Sequence, residues 1–300
     1  MGKYENTYFN HSILEKYLEE VGKEGLVMPH CVICDGTPME LDFYPTDSKS
    51  NWLEISKLKR FNTTIKRYHR TFKTNDVKEL VEYYTKNPIS YKINSLGFRD
   101  AELDTKENKD ITVFLGCSFT FGNGLPEDKV WTRYVKEGLS FKNTINAATP
   151  GTGPLTHLRT LLYLLQNFDV KRVFYLYDFS SPRYEWDLGN IDAEYETWMF
   201  GEDPRYSLYG MKLLTSPRNA KFFDILCFST FQKICDNYQV EFLYQPTLTY
   251  NDLLKSPKQY STTDIWARDL MHTGFLSHKV MAEKFIEKYR VSVGTSNNSA

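Results

Sequence analysis

The sequence predicts an α/β fold for residues 106–290: a mostly parallel sheet with helices on both faces, in a three-layer α/β/α arrangement. From Asp110 onward, short apolar runs alternate with longer stretches of helical period, and such a βαβα rhythm builds a parallel sheet. The run at residues 173–177 is apolar throughout, as a strand covered on both faces must be. Ligands of such sheets sit beyond the C-terminal strand ends, so the residues just after each strand carry the functional interest.

Residues 1–105 read as an α+β appendage, set off by a charged linker at 104–110. Residues 12–22 read as a helix. Ser12 and Glu15 make a capping-box pattern, and Ile13, Leu14, Tyr17, Leu18 and Val21 share one face. Cys31 and Cys34 fit half a zinc site or a redox pair, but no second ligand pair follows at metal spacing, and packed free thiols in a turn are the simpler reading. Lys57, Lys59, Arg60, Lys66, Arg67, Arg70 and Lys73 then run without an acid, interleaved with Phe61, Tyr68 and Phe72. That strip fits a phosphate-binding surface or a solvated strand face. The whole-chain charge of −1 favours the second, and no nucleic-acid partner is expected. Residues 74–86 read as a helix with Val77, Leu80, Val81 and Tyr84 inward, stopped by Asn87 and Pro88. Residues 91–102 are extended, with a turn at Gly97.

In the 106–290 part, strands are expected at 111–115, 143–147, 173–177 and 240–244. Helices are expected at 130–139, 220–235 and 274–289. A further helix starts at Thr152 or Gly153 with Pro154 in its first turn, and Leu155, Leu158, Leu161, Leu162 and Leu165 form its apolar stripe. Residues 291–300 read as a flexible tail. Between 179 and 218 the rhythm lapses into a long irregular insertion rich in aromatics, among them Tyr184, Trp186 and Trp198. These three are candidate substrate-binding residues, able to stack on sugar rings or cover an acyl chain; packed satellite core is the other reading.

Ser118 follows the 111–115 strand, with Gly116 before it and Gly122 after. A serine just past a strand end, among small residues, can have an exposed hydroxyl and a free N–H, as an acyl-transfer nucleophile needs. The Gly-x-Ser-x-Gly elbow is absent, because Thr120 holds its last position. The stretch alone fits a nucleophile or a plain glycine-rich turn. Asp269 and His272 form an Asp-x-x-His pattern before the last helix. That spacing lets the carboxylate fix one imidazole nitrogen while the other takes the serine proton. His157 and His278 lie inside expected helices and read as packing or surface residues.

With those residues named, the chain resembles the SGNH (GDSL-like) hydrolases over about residues 91–290. Residues 116–122 resemble the first block of that family, 146–151 the second and 269–272 the last, while 93–99 look like a lead-in before the first block. The resemblance implies a flavodoxin-like sheet and a Ser118–His272–Asp269 triad with an oxyanion hole from the N–H groups of Ser118 and Gly151. It implies a serine esterase acting on an acetyl-type or other O-acyl ester, its substrate class broad (acetylated sugars, lipids or other small-molecule esters), with no cofactor or metal. The aromatic insertion tilts the reading toward an O-acylated carbohydrate. Two departures stand out. Cys117 replaces the usual Asp before the serine, and the third block lacks its Asn, so Ser180, Ser181 or Arg183 is the candidate oxyanion substitute. That gap leaves open a weak or inactive SGNH-fold binding module, and an acyltransferase would use the same triad.

The remaining bulk properties narrow the setting. No apolar run is long enough to span a bilayer, and residues 1–6 do not read as a secretory signal. Five scattered cysteines are not a disulfide framework. The expected location is cytoplasmic, or outside the cell without a classical signal peptide.

Overall fold

The structure is a computed structural model that describes residues 37–44, 47–56, 74–103, 109–177, 183–186, 196–199, 217–247, 260–270 and 272–296. The expected helix at 12–22, the Cys31/Cys34 pair and the basic strip from Lys57 to Lys73 lie outside these residues, as does most of the 104–110 linker.

The chain begins with β1 (Met39–Leu41) and two helices, α1 (Lys49–Ser56) and α2 (Thr74–Lys86). β2 (Tyr91–Ile93) then pairs antiparallel with β1. The expected 74–86 helix is present; β1 and α1 were not legible in the sequence. The α2 stripe of Val77, Leu80 and Tyr84 packs with Tyr44, Ile55 and Tyr91 against Phe121, Ala148, Trp266 and Leu270. Residues from both sides of the linker therefore share one apolar cluster. Each large side chain fully removed from water there contributes about 1.5–3 kcal/mol.

The main sheet holds β3 (Ile111–Gly116), β4 (Thr144–Asn146), β5 (Val170–Tyr177) and β8 (Glu241–Pro246). All four strands are parallel, in the order β4-β3-β5-β8. Successive side chains point to opposite faces. Val113, Leu115, Val173, Tyr175 and Tyr177 meet α5 (Pro154–Asn167) and α6 (Pro217–Asn237). Phe114, Phe174 and Leu176 meet α4 (Trp131–Gly138) and the last helix, α8 (Phe275–Ser296). This mixed α/β packing is compatible with the expected three-layer architecture. Gly153 is the N-cap of α5 and Pro154 its first residue, where the missing N–H costs nothing.

Two expectations are corrected. First, α8 runs through Ser296, so residues 291–296 are helical and not a tail. The Ser292 hydroxyl shares its one proton between Glu241 Oε1 (2.5 Å) and the Tyr289 carbonyl (2.8 Å), which ties the extra turn to the sheet. Second, the 179–218 insertion is not wholly irregular, since β6 (Arg183–Trp186) and β7 (Glu196–Met199) pair as an antiparallel ribbon. An element that the sequence reading did not name also appears: a one-turn helix, α7 (Thr262–Ile265), precedes the Asp-x-x-His pattern, opened by a capping box of Ser261 and Asp264. No described helix is long and apolar enough to cross a membrane.

Candidate active site

The serine is set by the way β3 ends. Gly116 has φ +151°, and a Cβ there would stand 2.1 Å from Thr120 Oγ1 and 2.7 Å from the Leu176 carbonyl oxygen. Only glycine lets the chain leave the sheet that tightly. Cys117 caps the four-residue helix α3 (Ser118–Phe121), which ends when the Gly122 N–H donates to the Ser118 carbonyl. Ser118 is the first residue of this turn, and its N–H has no partner among the described residues.

The imidazole that faces the serine comes from the loop between α7 and α8. Trp266 and Thr273 form an antiparallel bridge, and the Ala267 N–H donates to the His272 carbonyl (3.1 Å). The loop is thus closed on itself, with Asp269 near its tip. Leu270 takes a left-handed conformation (φ +56°), which costs a non-glycine residue about 1 kcal/mol or more. Burial of its side chain among Tyr84, Trp266 and neighbours offsets this.

Within the loop, the His272 N–H donates to Asp269 Oδ1 (3.0 Å), and Asp269 Oδ2 lies 2.5 Å from His272 Nδ1. On the far side of the ring, Nε2 lies 2.7 Å from Ser118 Oγ. A carboxylate only accepts, so Nδ1 carries a proton, and in the neutral ring Nε2 is then bare and accepts from the serine hydroxyl. Asp269 is fully buried, and Ser118 is only 3% exposed, so the exposed hydroxyl expected from its place past the strand is corrected: the serine sits under the His272 ring. Phe119 meets the imidazole edge-on at 5.2 Å, which further limits its rotation. The three residues singled out in the sequence are therefore in hydrogen-bond series.

The Gly151 N–H, after β4, likewise has no partner among the described residues. Its loop is braced from behind. Thr152 Oγ1 donates to the Thr149 carbonyl (2.6 Å), so it accepts from His157 Nε2–H (3.1 Å), and His157 Nδ1 accepts from the Tyr175 hydroxyl (3.0 Å). His157 is a buried packing residue, not a rival base. Ser180 and Ser181 lie outside the described residues. Arg183, Tyr184, Trp186 and Trp198 are described only as strand backbone, so their expected roles lie outside as well.

A second layer of polar residues was missed by the sequence reading. Arg268 precedes Asp269, and its guanidinium binds the Asp47 carboxylate at 2.6 and 3.0 Å and the Asp42 carbonyl at 2.8 Å. The cation also lies 4.5 Å from the Phe43 ring centre. The Tyr91 hydroxyl donates to Asp47 (2.5 Å) and accepts from the Gly124 N–H (2.8 Å). The Arg268 N–H donates to the Gly124 carbonyl (2.9 Å). Burial pushes the Asp47 carboxyl up, opposed by its hydrogen bonds and charge pairing with Arg268. Burial likewise raises the Tyr91 hydroxyl well above its ordinary range, so it stays a donor. Arg99, fully enclosed, donates to the carbonyls of Phe121, Gly122 and Leu125 and so braces the turn after the serine. Arg99 and Arg268 stood inside stretches already of interest, but nothing local marked them as buried. No cluster of three or more His, Cys, Asp or Glu side chains suited to a metal occurs among the described residues.

His278, six residues after the base, is fully buried, and its Nδ1 accepts from the Trp131 N–H (3.2 Å). Burial, with smaller contributions from His272 and Arg99, depresses its pKa from 6.5 to about 3. The folded state thus holds it neutral while the unfolded chain protonates it below pH 6.5. Its contribution to stability is complete above pH 6.5 and is lost as pH falls toward 3, by at most roughly 1.4 kcal/mol per pH unit. Asp100, raised by burial to about 6, has the opposite sign between pH 4 and 6 and masks part of the slope. His278→Asn keeps an acceptor for Trp131. Its thermal midpoint should be lower than wild type at pH 7 but fall less between pH 6.5 and 4. Equal falls would show that His278 is not held neutral.

No family model matches this chain, and no curated protein matches it.

Proposed function

We propose that the protein is a serine esterase of the SGNH type acting on an O-acyl ester. The observation that carries this is the continuous series Asp269–His272–Ser118, with the serine hydroxyl donating to a bare imidazole nitrogen. The parallel order β4-β3-β5-β8 matches the first four strands of a flavodoxin-like sheet and puts Ser118 and Gly151 beyond adjacent strand ends.

In this reading Ser118 Oγ attacks the ester carbonyl while His272 Nε2 takes its proton. Negative charge builds on the carbonyl oxygen, and the N–H groups of Ser118 and Gly151 receive it. His272 returns the proton to the departing alkoxide, which leaves as an alcohol with the acyl group on Ser118. Water, activated by the same nitrogen, then frees the acid. Every proton is moved by the protein's own groups. Asp269 remains a carboxylate that holds the ring and offsets the charge of the imidazolium.

The test is covalent labelling together with turnover. A fluorophosphonate should label the wild-type chain once, at Ser118, and abolish its hydrolysis of p-nitrophenyl acetate. Ser118→Ala should neither be labelled nor turn over. Hydrolysis at equal rates by wild type and Ser118→Ala would remove the serine from the chemistry.

A further inference from the structure

The segment before the linker reaches the triad through a closed circuit of buried groups. From Gly124, six residues after the serine, the path runs through its N–H to the Tyr91 hydroxyl and on to the Asp47 carboxylate. From there it crosses to the Arg268 guanidinium, and the Arg268 backbone N–H returns to the Gly124 carbonyl. Asp47, Tyr91 and Arg268 are each at most 3% exposed. The circuit joins the loop that follows the nucleophile to the loop that carries the base, and two of its members, Asp47 and Tyr91, belong to the residues before the linker. None of the three side chains touches Ser118 or His272 in the hydrogen-bond series.

We propose that Asp47 is a positioning residue for the Ser118–His272 pair, acting through Arg268 and Tyr91. The 37–93 segment is then part of the catalytic apparatus, a proposal that rests on the serine-esterase reading. Three features favour positioning over bulk stabilisation. Arg268 adjoins Asp269, so any shift of its backbone moves the triad carboxylate. The guanidinium is fixed from three sides, by Asp47, by the Asp42 carbonyl and by the Phe43 ring. Gly124 allows no slack: a Cβ there would stand 2.9 Å from the Arg268 nitrogen and 3.0 Å from Ala267 Cβ. The two loops therefore meet backbone to backbone, and the buried ion pair sets the register of that contact. Displacements of about 1 Å at a reacting pair can cost 10²-fold in rate.

The experiment compares Asp47→Asn, Tyr91→Phe and the double variant Asp47→Asn/Arg268→Met in the full chain. Turnover of p-nitrophenyl acetate and the rate of fluorophosphonate labelling are measured well below each thermal midpoint. Asp47→Asn should lose roughly 10²-fold in kcat with KM within about twofold of wild type, and Tyr91→Phe about tenfold in the same pattern. Asp47→Asn leaves a buried cation unpaired and will lower the midpoint. The double variant removes both charges, so its midpoint should recover toward wild type. Its kcat should stay low, because the lock on the loop is still missing. A double variant that regains both midpoint and kcat would overturn the proposal, since Asp47 would then serve stability alone. Wild-type kcat in Asp47→Asn and Tyr91→Phe would also overturn it, while leaving the esterase reading intact. A wild-type chain that does not react with the fluorophosphonate overturns the esterase reading itself, and this proposal with it.

Discussion

Asp269→Asn should lower esterase turnover by about 10⁴ while leaving the thermal midpoint nearly unchanged; the analogous change in a serine protease has that cost. The geometry says why. Asp269 uses one oxygen for the His272 N–H and the other for Nδ1. An asparagine oriented to keep the first bond turns its NH₂ toward Nδ1. That nitrogen must then be bare, and the ring proton moves to Nε2. Nε2–H faces Ser118 Oγ and has no lone pair with which to take its proton. Fold contacts survive, because the amide fills the same volume in the same buried place. The measurement is kcat beside midpoint. Unchanged kcat, in an enzyme that still needs Ser118 and His272, would mean that the ring is held by another group and that Asp269 only shapes the loop.

Gly274→Ala should have the largest effect on stability. Gly274 follows His272 by two residues, and its N–H donates to the Ile265 carbonyl (2.9 Å), closing the loop that carries the base. A Cβ there would stand 2.2 Å from the Thr263 carbonyl oxygen, 2.5 Å from the Trp266 nitrogen and 2.7 Å from the Asp264 carbonyl carbon. All three are main-chain atoms, so no side chain can swing aside. Relief requires α7 and the start of α8 to separate. Overpacking at this level costs about 3 kcal/mol or more, a fall of roughly 5–10 °C in midpoint for a chain of this size. His272 would move with the start of α8, so turnover should fall further than the loss of folded protein accounts for. A wild-type midpoint would show that the turn yields and that the close approach is no constraint.

What the sequence made legible was whatever has a short repeat or a local spacing. The α2 and α5 stripes, the β5 run and the Asp269–His272 pair each fit within about four turns of chain, and each is present. The meeting of Ser118 with His272 was inferred from the chemistry the two residue types share and from family resemblance, since nothing local links residues 154 apart. Asp47 was invisible for the same reason: it sits in a short irregular segment, and its partner lies 221 residues away. The α8 extension was missed because Val291, Val293 and Gly294 are poor helix formers, and the Ser292–Glu241 tie that holds the turn is a tertiary contact. The α7 capping box, by contrast, was readable in Ser261 and Asp264 and was overlooked.

The separation of Ser118 from His272 also has a consequence in time. The turn around the serine is local, since its Gly122 N–H to Ser118 carbonyl bond spans four residues. It can form as soon as β3 finds a neighbour. The imidazole arrives 154 residues later. At about 5–20 residues per second of synthesis, that is an interval of roughly ten to thirty seconds. Through all of it Ser118 lacks the imidazole that stands 2.7 Å from its hydroxyl in the folded chain. Under the proposed function, labelling of Ser118 should therefore report that the segment carrying His272 has docked.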